Sequence, residues 1–185
     1  MKPDHHDTSA EDRGPEADLV GARREHSDSR PAEFEGFLTI DELMNDRRLV
    51  PKAPGVYQLL RKIKVPPRFI EPGSGGWFKG RDPNVPTSVL AAEWVETSPV
   101  VYIGKAGGPG IQATLHSRLG QYLGFGAGKN VGHWGGRYIW QLADARELVV
   151  CWRELPEESP RDVEKAMIQD FVAAHGRRPF ANLGN

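Results

Sequence analysis

Apolar and polar positions along this chain fall into two regimes. Through about residue 34, polar and charged side chains follow one another almost without aromatics, and no periodic apolar face emerges. Such a segment cannot bury enough surface to offset the entropy of ordering, so it is expected to be disordered. Order is expected to begin at "FLTIDELM", where Thr39 and Glu42 have capping-box spacing and predict a short helix near residues 40–46. "GVYQLL", opened by Pro54 and Gly55, reads as a strand. Residues 62–98 are crowded with breakers ("PPRF", "EPGSGG", "GRDPNVP") around one helix-like run, "TSVLAAEWV". "PVVYIGKA" is the next strand, rich in β-branched residues and bounded by "GGPG".

The second half is more regular. "QATLHSRLGQYL" has helical spacing, with Leu115, Leu119 and Tyr122 as a stripe and Arg118 on the face that includes Tyr122. "ELVVCWREL" is a third strand. "SPRDVEKAMIQDFVAAHG" is the clearest helix: Ser159 suits the N-cap, Pro160 the first helical position and Gly176 a left-handed end. Its buried stripe is expected to be Val163, Met167, Phe171 and Ala174, with Glu164 bordering the core. No internal repeat is visible. The pattern predicts an α/β (α+β) architecture, a small central sheet flanked by helices. Residues 1–35 would be an acidic tail and residues 36–185 one domain, with an insertion at about 62–98.

Composition adds little to that and excludes a few classes. The single cysteine, Cys151, rules out an intramolecular disulfide, and in "LVVCWREL" it reads as a small core residue. A reducing cytoplasm is the simplest address. No apolar run approaches the roughly 18 residues a membrane span needs, and the N-terminus does not read as a signal peptide. The near-neutral net charge hides an asymmetry: residues 1–35 hold ten Asp and Glu against five Lys and Arg, leaving a mildly basic remainder. That balance is compatible with a nucleic-acid partner. His5 and His6 have no Cys/His spacing around them to support a metal site.

Five polar residues stand on well-defined elements: Tyr57, Tyr102, Arg118, Glu164 and Asn182, with Lys105 as a sixth. Alone, each is unremarkable: a tyrosine packs a sheet face, an arginine or glutamate solvates a helix, an asparagine makes a turn. Their order along the chain resembles the GIY-YIG nuclease family. "GVY" at 55–57 stands for the first family word and "YIG" at 102–104 matches the second, extended by Lys105. Arg118 falls where the family carries a helix arginine, and Tyr122 where it often carries Tyr or His one turn later. "EKAMIQDFVAAHGRRPFAN" resembles the closing segment, with Glu164 as the metal carboxylate and Asn182 after a Pro-x-x-Asn turn. Family members usually join the two words by a short hairpin; here residues 62–98 intervene, and the restriction-enzyme branch tolerates longer insertions.

The resemblance implies metal-dependent hydrolysis of a DNA phosphodiester, with Mg²⁺ or Mn²⁺ on Glu164. Residue chemistry agrees with it. A permanently charged, fork-shaped Arg118 suits the extra charge of a phosphorane. One carboxylate suffices for a Mg²⁺ ion that keeps most of its waters. Family analogy makes Tyr57 the base and Tyr102 a hydrogen-bonding partner of the water or a phosphate oxygen; Asn182 would fix the geometry. Lys105 would supply positive charge beside Tyr102 or touch a phosphate. A free phenol titrates near ~10, so Tyr57 needs assistance or a concerted transfer.

Three other features carry weaker signals. "GFGAGKN" lacks the Walker pattern, since Leu123 and Asn130 occupy the required Gly and Ser/Thr places. In "GHWGGRYIWQL", His133 is a candidate phosphate contact, and Trp134, Tyr138 and Trp140 could stack on bases or fill the core. In the insertion, Lys79 and Arg81 are candidate contacts to a DNA backbone. The expected partner is therefore DNA, with a homodimer or a recruiting protein supplying specificity or a second cut. The alternatives are a non-catalytic nucleic-acid-binding module on the same fold, or an unrelated structural or interaction protein.

Overall fold

The structure is a computed structural model that describes residues 33–184. Most of the expected acidic tail lies outside them. Four strands form one antiparallel sheet: β1 (Glu35–Thr39), β2 (Gly55–Leu60), β3 (Val100–Ala106) and β4 (Val149–Glu154), in the order β1-β4-β2-β3. Four helices accompany them: α1 (Ile40–Asn45), α2 (Thr87–Glu93), α3 (Leu115–Gly126) and α4 (Pro160–His175). The architecture is α+β. Among the described residues no helix is long and apolar enough to cross a membrane.

β1 is a strand the pattern did not announce, and it starts inside the segment expected as tail. Gly36 and Phe37 have positive φ, and the register with β4 shifts between Gly36 and Leu38, so no clean alternation survives in the sequence. Gly36 is needed because a Cβ there would stand 2.4 Å from the Trp152 ring. The capping box at Thr39 and Glu42 is present and opens α1 directly from β1.

β2 is central and buried along its whole length. One sheet face carries Tyr57, Leu59, Tyr102, Val150 and Trp152 into the main core with Leu43 of α1 and Leu115, Leu119 and Tyr122 of α3. On the other face, Ile103 meets Phe171, Met167 and Ile168 of α4. Valine 101 and Tyr102, consecutive in sequence, both enter the main core because the β2–β3 register shifts between Leu59 and Leu60. Cys151 is fully buried, and burial pushes its thiol up to about 12.

α4 has the expected caps: Ser159 Oγ accepts from Asp162 N, Pro160 is the first residue, and Gly176 ends it with φ 74°. Val163, Met167 and Phe171 of its expected stripe face inward, and only Ala174 departs. Ala174 is exposed, while Glu164, Met167, Ile168, Phe171 and His175 line the buried side, which puts Glu164 within the stripe. α3 runs further than "QATLHSRLGQYL" suggested, through Gly124-Phe125-Gly126. Phe125 is buried, and Gly126 lets Trp140 approach so closely that a Cβ would lie 2.3 Å from its ring.

The insertion is held at both ends. Arg61 N donates to the Pro99 carbonyl at 2.7 Å, and the Arg61 guanidinium pairs with Asp144 at 2.7 Å. Its middle packs on a 3₁₀ turn, Arg137–Gln141, where buried Gln141 accepts from Val85 N at 2.9 Å and donates to the Val85 carbonyl at 2.9 Å. Ile70 N adds a bond to the Gln141 carbonyl.

Candidate active site

Despite the insertion, β2 and β3 are direct neighbours. Tyr57 faces Gly104 and Leu59 faces Tyr102. Tyr57 and Tyr102 therefore stand as a diagonal pair on one sheet face, with ring centroids 6.0 Å apart and planes tilted by 59°. This contact explains the glycine of "YIG". A Cβ on Gly104 would lie 2.5 Å from Tyr57 Cζ and 2.6 Å from its hydroxyl. Only glycine lets the Tyr57 ring lie across the neighbouring strand.

Around this pair the structure gathers the other sequence candidates. Arg118 is half-buried on α3, and its guanidinium makes one hydrogen bond, to Gln121 at 3.3 Å. No carboxylate pairs with it among the described residues. It is close enough to oppose the rise in both tyrosine pKa values. Glu164, in the second turn of α4, is close enough to raise both. Its carboxylate forms an ion pair with Lys105 of β3, a partner that sequence reasoning had not assigned to that lysine. Asn182 is bound on both sides of its amide: Ile103 N donates to Oδ1 at 2.8 Å, and Nδ2 donates to the Ile103 carbonyl at 2.7 Å. With Ala181 N donating to the Val101 carbonyl at 2.9 Å, it fastens the C-terminal segment along the free edge of β3, between Tyr102 and Gly104.

Tyr122 and His133 lie deeper than expected. Tyr122 is fully buried, stacks on Tyr102 with centroids 5.9 Å apart, and donates its hydroxyl to the Gly136 carbonyl at 3.3 Å. It supports Tyr102 from below and cannot touch a substrate. His133, in sequence a candidate phosphate contact but more often a packing residue, is fully buried against Tyr122, with ring centroids 4.6 Å apart. Neither ring nitrogen has a hydrogen-bond partner. Burial, with Arg118 in addition, pushes its pKa down to about 3, so the ring is neutral. The aromatic character of "GHWGGRYIWQL" thus divides: Tyr138 and Trp140 are core, while Trp134 stays half-buried.

The phenols are strongly protonated in this setting. Tyr57 is fully buried and its hydroxyl has no hydrogen-bond partner. Burial first, then the Tyr102 phenol, push its pKa well above the ordinary value, against the pull of Arg118. Burial lifts Tyr102 to about 12, again opposed by Arg118. A resting phenolate at neutral pH is excluded by these shifts.

Lys79 and Arg81 lie apart from this centre on the insertion, where Arg81 sits over the Trp134 ring at 5.6 Å. Arg137, which sequence reasoning did not single out, sits over the same ring at 4.6 Å. Its neighbour in the chain, Gly136, packs on the Tyr102 ring. The signal for it was the charge following "WGG", but only the fold shows that this loop abuts Tyr102. Among the described residues no three His, Cys, Asp or Glu side chains converge as a metal cage. No family model, curated protein or solved structure matches the chain.

Proposed function

We propose that the chain is a metal-dependent endonuclease of the GIY-YIG kind that hydrolyses DNA phosphodiester bonds. The observation that carries this reading is the diagonal Tyr57–Tyr102 pair with Arg118 and Glu164 both in electrostatic reach of it. Four elements contribute one group each, and the two bonds of Asn182 pin the Ile103 peptide between Tyr102 and Gly104. A packing role would require none of this convergence.

The residues suit a hydrated divalent ion. The half-buried Glu164 carboxylate already holds a cation, the Lys105 ammonium, so positive charge is favoured at that spot. One carboxylate matches the habit of Mg²⁺ or Mn²⁺, which keep several waters and complete their shell with substrate phosphate. When bound, the ion would neutralise charge on the leaving oxygen. Arg118, unpaired with any carboxylate among the described residues, would meet the incoming phosphate and stabilise the charge that grows on its oxygens. Tyr57, whose hydroxyl is enclosed and unpaired, would offer its lone pair to the attacking water once substrate binding opens the pair to solvent. Because its pKa is raised, it passes its own proton to a phosphate oxygen as it takes the proton of the water, and no phenolate accumulates. Tyr102, propped by Tyr122, positions the same water or a phosphate oxygen. Lys105 holds Glu164 in place before the ion binds. A lone site of this kind cuts one strand at a time, so cutting both strands calls for a homodimer or two events.

The test is relaxation of supercoiled plasmid with Mg²⁺ or Mn²⁺, with EDTA, and with Glu164→Gln and Arg118→Ala proteins. Expected is nicking that EDTA and Glu164→Gln abolish and that Arg118→Ala slows by about 10²–10³. Unchanged nicking by Glu164→Gln refutes the metal assignment. Tight DNA binding with no nicking under any condition supports the binding-module alternative.

A further inference from the structure

Beside the candidate site lies a surface that the chemistry just described leaves unused. The insertion comes to a tip at Trp77-Phe78-Lys79-Gly80-Arg81. Phe78 and Arg81 close it through paired backbone bonds, 3.4 and 3.1 Å, around Lys79 and Gly80, both with positive φ. This is a tight two-residue turn that holds Lys79 in a left-handed conformation L side chains rarely adopt. The tip is not adrift. Gly76 N donates to the Phe125 carbonyl at 2.7 Å, and Phe78 reaches Gly132. Arg81 and Arg137 both face the Trp134 ring, and a Cβ on Gly135 would stand 3.4 Å from the Tyr102 hydroxyl. The tip and the 134–137 loop therefore form one rim of the site.

Two properties of this rim point to a ligand. The first is uncompensated charge. Lys79, Arg81 and Arg137 have no ion-pair partner among the described residues, and the nearest acid in the chain, Asp82, is engaged by Asn84. Arg137 Nε is buried with no hydrogen-bond partner among the described residues, its guanidinium lying over the Trp134 and Tyr138 rings. The second is Trp77, 56% exposed and without an aromatic or cationic contact among the described residues, so much of its indole is open to a ligand. An intact duplex offers phosphates to the cations but keeps its base faces stacked away from an indole. An unpaired strand offers both phosphates and faces.

We propose that this rim docks a DNA strand with unpaired bases, Trp77 stacking on a base while Lys79, Arg81 and Arg137 track its phosphates, so that the substrate is single-stranded, frayed or branched DNA. The inference rests on the nuclease reading, and deepens it by naming the form of the substrate. It assigns to the insertion the selection that the catalytic residues cannot perform, since they meet only a phosphodiester.

The experiment is fluorescence anisotropy of the full chain with a labelled oligothymidylate and with a blunt duplex, in EDTA so that cleavage is silent, over a range of salt. Wild type is expected to prefer the single strand. Trp77→Ala should weaken that complex by about tenfold, within the range of one lost stacking contact, and leave the duplex complex unchanged. Trp77 is more than half exposed and belongs to no core cluster, so its variant should unfold close to the wild-type temperature. The Arg81→Gln/Arg137→Gln protein should bind both ligands less tightly and show a shallower salt dependence, by about 1.4 in the single-strand slope. Preference for the duplex, or wild-type binding of the single strand by Trp77→Ala, overturns the proposal. Cleavage in Mg²⁺ is read separately. Trp77-dependent binding with no cutting of any DNA sinks the nuclease reading and leaves the docking surface standing. Unimpaired cutting of single-stranded DNA by Trp77→Ala sinks the docking surface alone.

Discussion

Replacing Tyr57 by phenylalanine removes one oxygen from the centre of the sheet, and the structure assigns that oxygen no stabilising role. Tyr57 is fully buried, and although the Tyr102 phenol is close enough to interact with it, its hydroxyl has no partner within hydrogen-bond geometry. A buried polar group left unsatisfied costs about 1–3 kcal/mol, so Tyr57→Phe should keep or raise stability by up to that amount. For a domain of this size each kcal/mol moves the melting temperature by about 2–4 °C. The ring itself, packed against Gly104 and Tyr102, is retained. Tyr122→Phe supplies the contrast. Its hydroxyl donates to the Gly136 carbonyl, and its loss should destabilise by about 1 kcal/mol. The assay is urea and thermal unfolding of the three proteins side by side, with plasmid nicking as the second readout. Tyr57→Phe should be at least as stable as wild type and inactive. If it loses more than about 1 kcal/mol, the hydroxyl makes a stabilising bond and the reasoning that it is kept for chemistry fails.

Gly104→Ala forces a Cβ into the Tyr57 ring, so it should destabilise by about 1–3 kcal/mol and reduce nicking further than its stability loss explains; unfolding curves and initial rates check both. Asn182→Ala removes two bonds to Ile103 and should cost about 1–3 kcal/mol, with faster hydrogen exchange at the Ile103 amide as the specific sign. His133 has a folded pKa depressed below its unfolded value near ~6.5, so the unfolded chain takes up its proton first as pH falls. Stability from this residue is present above that value and is lost towards pH 3, at up to about 1.4 kcal/mol per unit. His133→Leu should flatten the slope of unfolding free energy between pH 6 and 4 by about one proton, and an unchanged slope would show that the ring is not buried neutral.

What could be read from the chain was what depends on near neighbours. Thr39 with Glu42, Ser159 with Pro160, and Gly176 are local signals, and each appears at its place. The strands β2, β3 and β4 carry enough β-branched and aromatic residues to declare themselves. β1 does not, because its two positive-φ residues break the alternation and its partner, β4, lies more than a hundred residues on. The inward face of α4 is set by where the helix crosses the sheet, which is why Ala174 is exposed and Glu164 faces inward. At the site, identities were legible and pairings were not. The Lys105–Glu164 ion pair and the Asn182–Ile103 staple span 59 and 79 residues. Tyr122 and His133 have the residue types of a site, but only packing reveals that they are its foundation.

The bond from Arg61 N to the Pro99 carbonyl has an implication for how this chain can change. Seen from the sheet, the β2–β3 hairpin is already closed there, and everything between is a pendant. Because the entropy of closing a loop grows only with the logarithm of its length, lengthening or exchanging that pendant adds about 0.6 kcal/mol per doubling. The tyrosine pair stays in register whatever the pendant becomes, provided the contacts to Gln141 are replaced. The fold thereby separates a fixed sheet that carries the tyrosine pair from an exchangeable pendant, so another insertion grafted between Arg61 and Pro99 should alter the surface beside the pair without disturbing its register.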